Sequence, residues 1–103
     1  MKLRLSLTDD FGSQLSDGGQ AAEYRFGRLD PYVDLCEEIV LDFTGVRTAN
    51  SSFMNALVAG LVEHHGSRVL QSVVFKGCNP VLQILVESAI NLGLQKIEGR
   101  VDA

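Results

Sequence analysis

Three consecutive residues, Asn50, Ser51 and Ser52, are where this chain has the side chains for a switch. They are short and polar, and they stand just before the helical spacing Phe53, Leu57, Leu61. Side chains of this kind cap a helix by accepting from its unpaired N–H groups. A hydroxyl there also lies beside the positive end of the helix dipole, which tolerates a phosphate. Ser51 therefore carries two readings, helix cap and phosphorylation site, and modification would add about −1.5 to −2 charges at pH 7. Asn50, Ser52, Phe53, Met54 and Asn55 complete a candidate partner-binding surface around Ser51. Phe53 shares helical spacing with Leu57 and Leu61, so it reads as core, or else as an exposed anchor for a partner.

The other reactive side chains do not assemble into a site by sequence. His64 and His65 are neighbours on a helix and point about 100° apart, so they do not converge on a metal. They suit a helix C-terminus, where the dipole favours positive charge. Asp9-Asp10 and Glu37-Glu38 read as solvated strand borders. No nucleophile, base and orienter occur at a recognisable spacing, no GxGxxG follows a strand, and no phosphate-loop lysine is present. The expectation is a protein with neither catalytic activity, cofactor nor metal. Cys36 and Cys78 lack CxxC spacing and are expected as free thiols in a reducing cytoplasm.

The elements that position Ser51 follow from periodicity. Leu3, Leu5 and Leu7 alternate with polar residues, predicting a half-buried first strand over Lys2 to Thr8, with none of the apolar core of an export signal. Gln14 to Ser16 adds a short second strand before the Asp17-Gly18-Gly19 turn. A helix follows with Ala22, Phe26, Leu29, Val33 and Cys36 on one face, kinked or restarted at Asp30-Pro31. Ile39 to Phe43 is a buried strand ending at Gly45, and the helix after Ser51 runs from about Ser52 to His65 with Gly66 as its stop. On that helix Asn55, Ala59 and Glu63 are expected at the solvent face. A strand near Ser72 to Lys76 precedes a helix capped by Asn79, opened by Pro80 and stopped by Gly93, with an edge strand around Gln95 to Glu98. Strands separated by helices predict an α/β layer with a mostly parallel sheet.

Composition narrows the partners. With 103 residues, 46% of them hydrophobic and 21% charged, the chain is expected to form one domain over 1–103. A net charge of −4 with scattered Lys and Arg offers no basic stripe for nucleic acid. The apolar run Val81 to Leu94 falls short of the about 20 residues of a membrane span. It is apolar around most of its circumference, which points to a homodimer contact or to burial beneath the tail.

The run Asp42, Phe43, Gly45, Val46 and then Ser51-Ser52 at a helix start resembles the STAS domain of bacterial anti-sigma-factor antagonists. In those proteins an Asp-Ser-Ser-Gly stretch carries the phosphorylated serine first, which falls on Ser51; Asn50 stands in place of the Asp and Phe53 in place of the Gly. The Ser-Ser-Phe form, and the segment Phe11 to Arg25 with Gly12, Ser16, Asp17 and Gly18, are similar to a divergent STAS-like branch. The resemblance implies a single STAS-like α/β domain, with a mixed, mostly parallel sheet of four to five strands packed by three to four helices. It further implies a cytoplasmic regulatory protein that binds a histidine-kinase-like ATPase and is released by phosphorylation of Ser51. Two alternatives are an unphosphorylated scaffold or regulatory subunit of a transporter ATPase, and a sensor of a small anionic ligand or nucleotide.

Overall fold

Leucines alternating with charged residues set the first strand and decide which side of its sheet is covered. The computed structural model describes residues 1–101. In it β1 (Lys2–Ser6) lies parallel to β3 (Glu38–Asp42), which lies parallel to β5 (Val73–Lys76), in the order β1-β3-β5. Register aligns Leu3 with Ile39 and Val73, and Leu5 with Leu41 and Phe75. Ile39 and Leu41 are fully buried, so this side carries the core. The opposite side aligns Arg4 with Val40 and Val74, and leaves Lys2, Arg4, Val74 and Lys76 exposed. A second parallel sheet pairs β2 (Gln14–Leu15) with β4 (Thr48–Ala49). The five strands of the described residues thus meet the expected number and direction, divided three and two.

The first strand ends at Ser6, two residues before the expected Thr8. The Ser6 hydroxyl accepts from the Asp9 N–H at 3.3 Å and caps α1 (Leu7–Phe11), whose first turn holds Asp9 and Asp10. Acidic side chains there complement the helix dipole, so the pair read as a strand border belongs to a helix start.

Both middle helices contain a π-helical turn, and this corrects two predicted faces. α2 (Gly18–Tyr24) continues into a π-turn at Arg25–Leu29, and a 3₁₀ turn at Asp30–Tyr32 restarts the chain at Pro31. Leu29, Val33 and Cys36 are buried as expected, Ala21 is buried in place of Ala22, and Phe26, inside the wider turn, is 74% exposed. The Ser51 helix consists of α3 (Ser51–Met54), a π-turn (Asn55–Ala59) and α4 (Gly60–His65). Ala59, expected at the solvent face, is 1% exposed. The stop at Gly66 is as predicted: φ is +82° and its N–H donates to the Val62 carbonyl at 2.8 Å.

α5 (Pro80–Val101) begins as expected, with Asn79 Oδ1 accepting from the Leu82 N–H at 2.9 Å, but it does not stop at Gly93. A Cβ at Gly93 would lie 2.8 Å from Val62 Cβ and 2.9 Å from the Ala59 carbonyl oxygen. Glycine is there because two helices touch. The segment predicted as an edge strand, Gln95 to Glu98, is helical, so nothing pairs with the outer side of β5 among the described residues. None of the described helices is long and apolar enough to cross a membrane.

Candidate functional site

Asn50, not Ser51, is the cap of the Ser51 helix. Its backbone is extended (φ −102°, ψ 168°) and its Oδ1 accepts from the Phe53 N–H at 2.8 Å. Its Nδ2 donates to the Ser16 carbonyl at 2.8 Å, and its own N–H donates to Leu15 at 2.9 Å. Ser51 is therefore the first helical residue, with its side chain exposed and, among the described residues, free of hydrogen bonds within the protein. Capping by Asn50 leaves the Ser51 hydroxyl with no structural duty.

A second helix start abuts the first. Asp17 caps α2, its Oδ1 accepting from Gly19 at 2.9 Å and from Gln20 at 3.1 Å. A Cβ on Gly18 would stand 2.4 Å from Ser52 Oγ and 3.0 Å from the Ser52 carbonyl oxygen, so glycine lets the two first turns meet. The exposed surface of Asn50, Ser51 and Ser52 is thereby extended by Ser16 and Asp17. Asn55 lies half-buried at its edge. Phe53 and Met54 are corrected out of the partner-binding surface: they are 1% and 0% exposed. The helix start turns both inward, and the Phe53 ring sits edge-on to Phe11 at 5.0 Å.

Beside this surface the Tyr24 hydroxyl donates to Asp10, its ring meets Phe11 at 4.9 Å, and Arg28 lies 5.5 Å from the ring centre. Burial and then the Asp10 bond push the phenol well above its ordinary range. It stays neutral and serves as a donor.

A charged cluster lies behind the helix pair where no motif pointed. Asp30 accepts from Arg25 Nη1 at 2.7 Å and is bonded to His65 Nε2 at 2.8 Å, while Arg25 Nε donates to the Ala56 carbonyl at 2.9 Å. The side chains of Arg25, His65 and Asp30 are only 12, 15 and 19% exposed. Arg25 belongs to one π-turn and Ala56 to the other, so the guanidinium joins the two irregular turns. A Cβ at Gly60 would lie 2.7 Å from Arg25 Nε, which is the space this side chain needs. His65, read as a group favoured by the helix dipole, is an Asp30 partner; His64 alone faces solvent.

Asp42, at the end of the central strand, is 2% exposed although its register places it on the open side of the sheet. The Thr44 hydroxyl and the Thr44 N–H, the latter at 2.9 Å, hold its carboxylate, Arg4 pairs with it, and together they lower its pKa from 3.8 to about 2. A carboxylate depressed in the folded state stabilises fully above its unfolded pKa and loses that contribution as pH falls through the folded one. Denaturation midpoints in urea should therefore fall between about pH 4 and pH 2, and the Asp42→Asn protein should show a shallower fall over the same window. Equal slopes for the two proteins would remove Asp42 as the cause. Cys78 lies near this carboxylate, and burial first, then the Asp42 charge, push its thiol up. It remains protonated, and both it and buried Cys36 are free cysteines.

Among the described residues no group of three or more His, Cys, Asp and Glu side chains gathers as a metal site would. A family model described as a STAS-like domain of unknown function (DUF4325) matches residues 20–83, a span holding the Ser51 helix and the central strand. No curated protein and no solved structure matches the chain.

Proposed function

The chain belongs to the STAS-like domain family, and from that premise we propose that it is a non-enzymatic regulatory module that binds another protein through the surface around Ser51. Phosphorylation of Ser51 ends the contact. The partner this reading favours is the histidine-kinase-like ATPase that the resemblance to anti-sigma-factor antagonists implies. The observation that carries the reading is the Ser51 hydroxyl itself, exposed on the first helical residue and relieved of capping by Asn50. A phosphate there would meet the N-terminal end of a helix without displacing any internal bond. The neighbouring Asp17 carboxylate is held by its own cap and need not move.

Because Ser51 is not the cap, Ser51→Ala and Ser51→Asp should both keep the stability of the native chain within about 0.5 kcal/mol. Binding should separate them. The Ala variant retains the partner recovered from the protein's own cells, and the Asp variant loses affinity at least about tenfold, or 1.4 kcal/mol. Intact-mass measurement after incubation with lysate and ATP should add one phosphate to the native chain and none to Ser51→Ala. An unmodified mass, together with equal partner binding by the Ala and Asp variants, would leave Ser51 a plain surface residue and the module an unswitched scaffold.

A further inference from the structure

Among the described residues both edges of the three-stranded sheet are unpaired, and they are not equally protected. β1 carries Lys2 and Arg4 on its open side, and pairing that edge with a copy of itself would set cations against one another. At the middle of β5 stands Val74, 44% exposed, with Lys76 only at the strand end. The bonds to β3 settle which backbone groups of β5 remain free. Ile39 N–H donates to the Ser72 carbonyl at 2.8 Å and Phe43 N–H to the Lys76 carbonyl at 2.7 Å. The parallel ladder thus uses alternate residues, and the N–H and C=O groups of Val73 and Phe75 point away from β3. A cleft of about 330 Å³, lined by Phe75, Cys78, Val86 and Ile90 among others, lies between this strand and α5.

We propose that β5 pairs antiparallel with β5 of a second copy of this chain about a two-fold axis at Val74, joining two three-stranded sheets into one. The occupant follows from self-complementarity. With the axis at Val74, Val73 of each copy faces Phe75 of the other, and their outward N–H and C=O groups form the hydrogen-bonded pairs of an antiparallel ladder. Val74 meets Val74 on the open side as the close, non-hydrogen-bonded pair, covering its exposed side chain. Ser72 meets Lys76, so no like charges are opposed. Moving the axis to Phe75 would bring Gly77 into the ladder, where its φ of +75° turns the chain out of the strand. The pairing goes beyond the proposed switch, which lies on other elements.

The test is sedimentation of the full chain with a cross-linking variant. The native protein should sediment as a dimer, and Val74→Lys, which opposes two ammonium groups across the axis, should weaken dimerisation at least about tenfold while keeping the native far-ultraviolet circular dichroism. With Cys78 replaced by serine, Val74→Cys should form a covalent dimer on mild oxidation, since a non-hydrogen-bonded pair holds its Cα atoms about 4.5 Å apart, within disulfide reach. Lys2→Cys in the same background, on the other edge, should form no covalent dimer under the same oxidation. A native chain that sediments as a monomer at its highest soluble concentration overturns the proposal and leaves the edge to a strand of another protein. A folded Val74→Lys protein as dimeric as the native one overturns it as well.

Discussion

Phe53→Ala is expected to cost about 3–5 kcal/mol of folding stability, the range for truncating a fully buried aromatic ring. The ring is 1% exposed and stands edge-on to Phe11 at 5.0 Å with planes 88° apart, and Phe11 in turn meets Tyr24. These three rings lie on α1, α2 and α3, so removing the middle of the Ser51 helix start opens a cavity beneath three short helices at once. In a domain of this size each kcal/mol moves the melting temperature by about 4–8 °C. Urea denaturation of native and variant chains measures the loss. A value below about 1 kcal/mol would return Phe53 to its other reading, an anchor that a partner covers. The same measurement guards the functional test, because partner binding lost in a Phe53 variant reports unfolding.

Gly77→Ala should cost about 2–4 kcal/mol, for two reasons that act together. The residue has φ +75°, a conformation that a Cβ disfavours, and that Cβ would lie 2.6 Å from the backbone N and 2.9 Å from the Cα of Thr44. Backbone cannot swing aside as a side-chain tip can. Here the chain leaves β5 and passes against the end of the central strand, so the strain would spread to Asp42, which Thr44 holds. Gly27→Ala is the matched control, since that Cβ would meet nothing within 4 Å in a helical turn. It should gain up to about 1 kcal/mol from helix propensity. Equal effects of the two substitutions on the denaturation midpoint would refute the packing argument.

The parts of this fold that were legible from sequence are those carried by period-two alternation, by an apolar run and by punctuation. Leu3 and Leu5 announced a strand by alternation and Ile39 to Phe43 by its apolar run, and Asn79, Pro80 and Gly66 marked helix ends at the right residues. Gly93 was misread because a glycine that permits close helix contact is written like one that ends a helix; only Val62 and Ala59 across the gap tell them apart. Phe26 and Ala59 were misassigned because both lie inside π-turns, which depart from the 3.6-residue period without any mark in composition, while Leu29, Val33, Leu61 and Val62 kept their expected burial. At the site, the helix start beside Ser51 was legible, but three cap-type residues in a row left open which of them caps. Backbone angles decided for Asn50. The cluster of Arg25, Asp30 and His65 was invisible, since 35 residues separate the Asp from the His and no local pattern joins them.

The guanidinium shared between the two π-turns bears on how such a chain can change its length over generations. An extra residue in an isolated helix can be deleted, because the turn relaxes to ordinary α pairing. Deleting one within 55–59 would do that here, but it would also re-pair the turn and withdraw the Ala56 carbonyl from Arg25. The Arg25 side chain would be left partly buried with one acceptor lost, and the cost would fall on the helix that did not mutate. Insertions and deletions in 25–29 and 55–59 are therefore tied to one another, and the two segments should gain or lose residues as a pair or not at all.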